Sequence, residues 1–156
     1  MIVMMVAMDP NHCIGKDGTM PWHIPEELSF FKQKTMHHHI LMGKRTWNHM
    51  TSTLPSRTVH ILSTQSIDTI RPGYAFVHRD LQDILDQWLT SEEQLIVCGG
   101  ASIYSLLLPY ATELWISYLP NTYEGDTFFP SFHKEDYIEL ESTSYPSFRF
   151  CRLHKK

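Results

Sequence analysis

An α/β fold, one domain with a mostly parallel sheet covered by helices, is what this sequence predicts. Three observations predict it. The chain has 156 residues, the size of one ordinary domain. Short apolar, β-branched runs alternate with segments of helical period along most of its length. The last two such runs follow one another with no helical segment between them, which predicts a terminal antiparallel hairpin.

The elements follow in order. Ile2–Met8 is wholly apolar, but it is short, has no basic stretch before it and ends at Asp9-Pro10, so it reads as a first strand and not as a leader. From Asp9 to His23 the chain carries Pro, Asn, Gly and Asp without a period. A loop this long in a compact domain is usually functional, often a lid, although a plain surface loop satisfies the same letters. Pro25 suits a first helical position and opens a helix to about Thr35. His39–Met42 is a strand, and a second helix follows Gly43; Thr58–Leu62 is a strand. Asp80 is a helix cap, followed by Leu81, Ile84, Leu85 and Trp88 as one apolar stripe. Gln94–Cys98 is a strand, and the helix after Gly100 stops before Pro109. Glu113–Leu119, Tyr137–Ser142 and Phe148–Leu153 complete the strands, with Tyr145-Pro146-Ser147 as the final turn.

Composition narrows the function. At 42% hydrophobic residues the chain can build a real core, and no apolar run approaches the roughly 20 residues of a membrane helix. A net charge of −4 argues against a general nucleic-acid binder. Three scattered cysteines (Cys13, Cys98 and Cys151) fit a reduced, cytosolic setting. Ten histidines, including His37-His38-His39, invite a metal reading, but neighbours on a strand alternate faces and no spaced ligand set is present; no metal is expected. Basic residues are unevenly placed. There is no Lys or Arg from Asp80 to His133, whereas Lys44, Arg45 and Arg57 lie close together. An anion held by the later segment must therefore be held by backbone N–H groups.

Two features carry chemistry. In the first helix, Leu28, Phe31 and Thr35 share a stripe with Glu27 on its flank, while Glu26 points nearly opposite, toward solvent. A carboxylate against an apolar wall is a candidate proton handler or ligand clamp. An acid in a first turn also favours the helix dipole and needs no further reason. The second feature is a repeated strand–glycine–helix plan, at Met42-Gly43-Lys44-Arg45 and at Cys98-Gly99-Gly100-Ala101-Ser102. Such turns bring backbone N–H groups to a phosphate, or simply turn the chain. Two cations at a helix start oppose the dipole and make sense if a polyanion arrives; a flexible surface pair is the alternative. Neither turn is the GxGxxG fingerprint, so the Rossmann mode of dinucleotide binding is disfavoured.

Six strings in order, Ile14-Gly15, Met20 to Leu28 (MPWHIPEEL), Met42 to Trp47 (MGKRTW), Leu54-Pro55-Ser56-Arg57, Cys98 to Ala101 and Glu124-Gly125-Asp126-Thr127, resemble the dihydrofolate reductase family across nearly the whole chain. The resemblance implies a cytoplasmic, monomeric enzyme that reduces dihydrofolate to tetrahydrofolate with NADPH, serves one-carbon metabolism and is a target of antifolates. It implies that Glu27 holds the pterin and supports protonation at N5, that the Ser117 hydroxyl bonds this carboxylate, and that Trp22 positions a water beside it. Met5, Val6, Leu28, Phe31, Met50, Leu54 and Cys98 would line the substrate slot, with Arg57 pairing the substrate's carboxylate through its planar fork. Ala7, Ile14, Gly15, Met20 and Tyr104 would surround the nicotinamide, with Met20 and its loop closing over it. Arg45, Thr46 and the helix start Gly99, Gly100, Ala101 and Ser102 would take the pyrophosphate, Lys44, Ser63 and Thr64 the 2′-phosphate, and Gly43, Cys98 and Ile103 would also contact the cofactor. The Gly99–Gly100 bond is expected to be cis.

The sequence departs from the family's pattern in three places. Ser56 stands where glycine is frequent, which matters little if its φ is negative. Cys98 replaces a larger residue at the pocket edge. Lys44 stands where Arg is frequent, so the charge is kept and the fork is lost. Two rival readings share these letters: a reductase of another pteridine or pyrimidine, and a non-catalytic nucleotide binder that kept the cofactor turns.

Overall fold

The computed structural model describes residues 1–49, 54–65, 67 and 75–156. In chain order its elements are β1 (Ile2–Met8), β2 (Cys13–Gly15), α1 (Pro25–Thr35), β3 (His39–Gly43), α2 (Lys44–His49), β4 (Thr58–Leu62), β5 (Ala75–His78), α3 (Leu81–Trp88), β6 (Leu95–Val97), α4 (Ala101–Leu107), β7 (Glu113–Tyr118), β8 (Thr127–Phe128), β9 (Tyr137–Ser144) and β10 (Arg149–Lys155). Eight strands form one sheet in the order β5-β4-β3-β6-β1-β7-β10-β9. The pairs from β5 through to β7 are parallel, and β10 is antiparallel to both β7 and β9. The mostly parallel sheet and the terminal hairpin are as expected, the latter closed by the Tyr145 N–H donating to the Phe148 carbonyl at 2.8 Å.

Strand β1 shows why the sheet sits where it does. Successive residues point to opposite faces, so an all-apolar strand demands cover on both. Ile2, Met4, Val6 and Met8 enter a cluster with Ile84, Leu85 and Trp88 of α3 and Ile103, Tyr104 and Leu107 of α4. Val3 and Met5 enter the opposite cluster with Phe30 of α1, Ile40, Met42, Leu54, Trp115 and Phe150. Odd-numbered β1 positions therefore face α1, and the strand's C-terminal half delivers Met5 and Ala7 to that side.

Capping is as predicted at α3, where the Asp80 carboxylate accepts from the Gln82 N–H at 3.1 Å. Three short strands were not predicted. β2 and β8 pair with each other outside the main sheet, and β5 forms one edge of it. All three are shorter than five residues, too short to show a period.

Two expectations about local conformation are corrected. Ser56 has φ +60°, in the left-handed region, where its carbonyl accepts from the His37 N–H at 2.7 Å. The turn itself requires the positive φ, so serine there carries a cost that glycine would not. Glu26 is not turned to solvent: it is half-buried and accepts from the Ser147 N–H at 2.9 Å and from the Ser147 hydroxyl. The β9–β10 turn folds back onto the start of α1, a long-range contact that helical geometry alone does not reveal.

Candidate active site

Helix α1 lies across the Val3/Met5 face of the sheet, and burial sorts its side chains. Glu27, Phe30 and Thr35 are buried and Phe31 is half-buried against the same cluster, whereas Leu28 is 40% exposed. The buried stripe thus runs through Glu27 and Phe30, one position round from the Leu28–Phe31–Thr35 line drawn from the sequence. Helical wheels fix spacing, and the sheet decides which spacing turns inward.

Glu27 is 7% exposed. Burial pushes its carboxyl above the ordinary glutamate range, and a hydrogen bond from the Ser117 side chain pulls back weakly against that rise. Ser117 reaches it from β7, where it pairs with Ala7 of β1 and shares the Trp115 face of the sheet. Trp22 and Tyr123 pack as a tilted pair beside this region with ring centroids 5.1 Å apart, both on the same cluster as Met5 and Leu54. Cys98 also packs there; its thiol sits 3.4 Å from the Ile96 carbonyl, and burial pushes its pKa up to about 12 against a small opposing effect of Arg57. It is a neutral small hydrophobe and not a nucleophile.

Arg57 is half-buried and held from two sides. Its Nε donates to the Pro55 carbonyl at 3.2 Å and its Nη1 to the Thr35 hydroxyl at 3.4 Å. The Thr35 hydroxyl in turn donates to the Phe31 carbonyl at 2.8 Å, so α1 and the Leu54–Arg57 turn fix the guanidinium together. Met50 lies outside the described residues.

The two glycine turns are neighbours in space. Gly43 N–H donates to the Gly99 carbonyl at 2.9 Å, and a Cβ on Gly43 would come 2.9 Å from Ile103 Cγ1. Gly99 has φ +117°, and the Gly99–Gly100 bond is cis, as the resemblance implied. Among the described residues, a Cβ on Gly100 would meet the Thr46 hydroxyl oxygen alone, at 3.6 Å, which leaves room beside the backbone there. The result is a glycine cradle faced by Thr46 and begun by a helix whose first N–H groups have no side-chain cap. Such a cradle fits a pyrophosphate approached by backbone. Tyr104 stands behind it, buried, its hydroxyl donating to the Met5 carbonyl at 2.7 Å and tying the cradle to β1.

At the outer end of β4, Lys44 Nζ donates to the Gln65 side chain at 3.2 Å, and Ser63 and Gln65 bond each other. Arg79, which sequence reading passed over, donates to the Gln65 carbonyl at 2.7 Å. It brings to this corner the guanidinium that Lys44 lacks. Its signal was its place as the last base before the long basic-free stretch.

The Asp9–His23 loop is fastened at its base and its middle. Asp9 is fully buried; its carboxylate accepts from Asn11 and Cys13 N–H at 2.8 Å and from Tyr123 N–H at 2.9 Å. Further on, β2 pairs with β8, the Asp126 N–H donates to the Gly15 carbonyl at 3.0 Å, and Asp126 accepts from the Asp17 N–H at 3.1 Å. Asp9 and Asp126 were given no role from sequence, although an acid directly after a strand and before proline is an Asx-turn signal. Met20 at the loop's far end is 50% exposed, and Ile14 is half-buried. Among the described residues no group of His, Cys, Asp and Glu could hold a metal ion, and no helix is long and apolar enough to cross a membrane.

Residues 1–150 match the model of the dihydrofolate reductase family. The dihydrofolate reductase of Bacillus subtilis is 38% identical over 142 residues, covering 91% of this chain and 83% of that protein. That of Enterococcus faecium is 33% identical over 164 residues, covering 99% and 97%. Among solved structures, the dihydrofolate reductase of Enterococcus faecalis complexed with NADP(H) and RAB-propyl superimposes with a TM-score of 0.86 at 27% identity, covering 100% of this chain and 96% of that one. By sequence and by fold alike, this chain belongs to the dihydrofolate reductase family.

Proposed function

We propose that this chain is a one-domain, monomeric, cytoplasmic enzyme that reduces 7,8-dihydrofolate with NADPH, in which Glu27 supports protonation of the substrate at N5. The observation that carries the reading is the carboxyl of Glu27, buried between α1 and the sheet with its pKa raised and the Ser117 hydroxyl as a partner. A carboxyl whose pKa burial raises above the ordinary glutamate range keeps its proton to higher pH than a solvated one, and can support protonation of a ring nitrogen as that nitrogen's basicity grows.

Bound NADPH supplies the hydride. The chain's own residues do the rest. Met5, Val6, Leu28, Phe31 and Leu54 form the apolar slot in which the pterin and its benzoyl extension lie. The guanidinium of Arg57, held by Thr35 and Pro55, offers two N–H groups to a carboxylate at the slot's outer end. Gly99, Gly100, Ala101, Ser102 and Thr46 hold the pyrophosphate by backbone and hydroxyl, while Lys44, Ser63, Thr64 and Arg79 surround the 2′-phosphate. Trp22, packed at a tilt against Tyr123, shields the acid's approach to solvent, and the loop carrying Met20 closes the nicotinamide end.

Purified protein is mixed with NADPH and dihydrofolate, and nicotinamide absorbance is followed. Loss of absorbance dependent on dihydrofolate is expected. Oxidation only with a different pteridine would place the chain with the first rival, and tight NADPH binding without turnover with the second.

A further inference from the structure

Three of the histidines form a row that the reaction does not use. His39 lies on β3, His60 on β4 and His78 on β5. The register pairs Leu41 with His60 and Leu62 with His78, so each histidine is offset by two residues from the last, and all three share one face. Their rings meet edge by edge. His39 Nδ1 is 2.9 Å from His60 Nε2, and His60 Nδ1 is 2.9 Å from His78 Nε2. His60 is 3% exposed, beneath Trp88 of α3 and stacked on Phe76 of β5.

Both ends of the row face an acid. The outer nitrogen of His39, Nε2, is 3.5 Å from Glu93; burial lowers the pKa of His78, and Asp83 of α3 lies near enough to oppose that fall in part. The N-terminal ammonium is occupied by the carbonyls of Trp88, Ser91 and Glu93, and the Arg79 guanidinium by Gln65, so neither cation is turned on the row.

Proton counting then sets the behaviour. Each ring–ring bond needs one proton, and each neutral imidazole brings one. Three neutral rings therefore fill both bonds and one outer nitrogen. A fourth proton occupies the other outer nitrogen, beside a carboxylate, with both bonds kept. A fifth has nowhere to go except into a ring–ring bond, where two N–H groups would then oppose each other. We propose that His39, His60 and His78 act as a one-proton chain fastening edge strand β5, which takes up a first proton with its bonds intact and lets go of the edge on a second. Burial, then the neighbouring His78 and His39, lower His60 to about 4, in keeping with a centre that resists its own proton.

Strand β5 carries the phosphate corner with it, since the His78 carbonyl accepts from the Ser63 N–H at 2.9 Å and the next residue is Arg79. Opening β5 thereby weakens the grip on a 2′-phosphate; this arm rests on the cofactor reading above. The chain itself is tested without cofactor, by following ring nitrogens and β5 amide exchange by NMR as pH falls. The three rings are expected to respond together at one midpoint, and β5 amides to lose protection only at a lower one. Three separate midpoints near that of free imidazole, or β5 amides indifferent to acid, would overturn the proposal. The cofactor arm is read as the affinities for NADPH and NADH against pH, in the unmodified protein and in His60→Gln. The ratio is expected to fall about tenfold more in the unmodified protein, the cofactor's own phosphate titrating alike in both. Equal pH dependence in the two proteins would overturn the link to the corner, and absence of NADPH binding at every pH would overturn the cofactor reading while the rings still decide the chain.

Discussion

Gly125→Ala tests how the Asp9–His23 loop is held. A Cβ at Gly125 would lie 2.2 Å from the Cys13 sulfur and 2.5 Å from the Gly15 carbonyl oxygen. Cys13 is fully buried and the oxygen belongs to the backbone, so neither can swing aside. Restoring an ordinary carbon–oxygen contact of about 3.3 Å means parting β2 from the segment that leads into β8 by at least roughly 0.8 Å. The adjoining Asp126 N–H to Gly15 bond, now 3.0 Å, would stretch past hydrogen-bond length. Losing that bond and overpacking the contact together cost about 2–3 kcal/mol. If the loop closes over the reactants as proposed, a displacement near 1 Å can cost up to about 100-fold in rate. Urea unfolding gives the first quantity and steady-state NADPH oxidation the second. A variant with unchanged urea midpoint and unchanged kcat would refute the view that β2–β8 contact sets the loop.

Ser56→Gly relieves a left-handed serine at about 1 kcal/mol and adds unfolded-state entropy of similar size, so stability is expected to change by less than about 1 kcal/mol, while Ser56→Val should lose about 2 kcal/mol or more; thermal unfolding measures both. Glu113 is buried with Arg152 Nε at 2.6 Å and Nη2 at 3.0 Å; burial alone would raise its carboxyl, but the bonds from Arg152 and Trp115 outweigh that and hold it below the ordinary range. Arg152→Met should therefore cost about 1–3 kcal/mol at neutral pH, discounted for the part-exposed guanidinium, with the deficit shrinking as pH falls below the ordinary glutamate value of 4.5, through the lowered folded value. Glu27 has the opposite sign: its folded carboxyl is harder to ionise than the unfolded one, so Glu27→Gln should unfold at a higher temperature at neutral pH, with the advantage gone below about 4.5. Lys44→Ala and Arg79→Ala should each lower NADPH preference over NADH by about tenfold, measured as a Kd ratio, with unchanged ratios moving the phosphate contact elsewhere.

How much of this was legible in the letters depended on whether the cause was local. Pro25, Asp80 and the Leu81–Trp88 stripe specify their helices through bonds and burial within a few residues, and they form as read. The glycine turns and Glu27 were legible for the same reason: each is a local conflict, a backbone without side chains or an acid beside apolar neighbours. What escaped depends on distant partners. Glu26 meets Ser147 across 121 positions and Asp9 meets Tyr123 across 114, and no window of sequence shows either. The histidine row needs three parallel strands in fixed register before its spacing has meaning, so His37-His38-His39 drew attention while His60 and His78 did not. The sign of φ at Ser56 stayed open because serine tolerates either, and the turn onto His37 decides it.

The most direct test of Glu27 is the rate of hydride transfer in a single turnover, measured against pH for the unmodified protein and for Glu27→Gln with both substrates bound. The unmodified protein should stay fast until pH rises past a midpoint above the ordinary glutamate range. Glu27→Gln should be about 100- to 10,000-fold slower at neutral pH and recover as acid protonates the substrate directly. Equal rates and the same midpoint in both proteins would contradict the role given to this carboxyl.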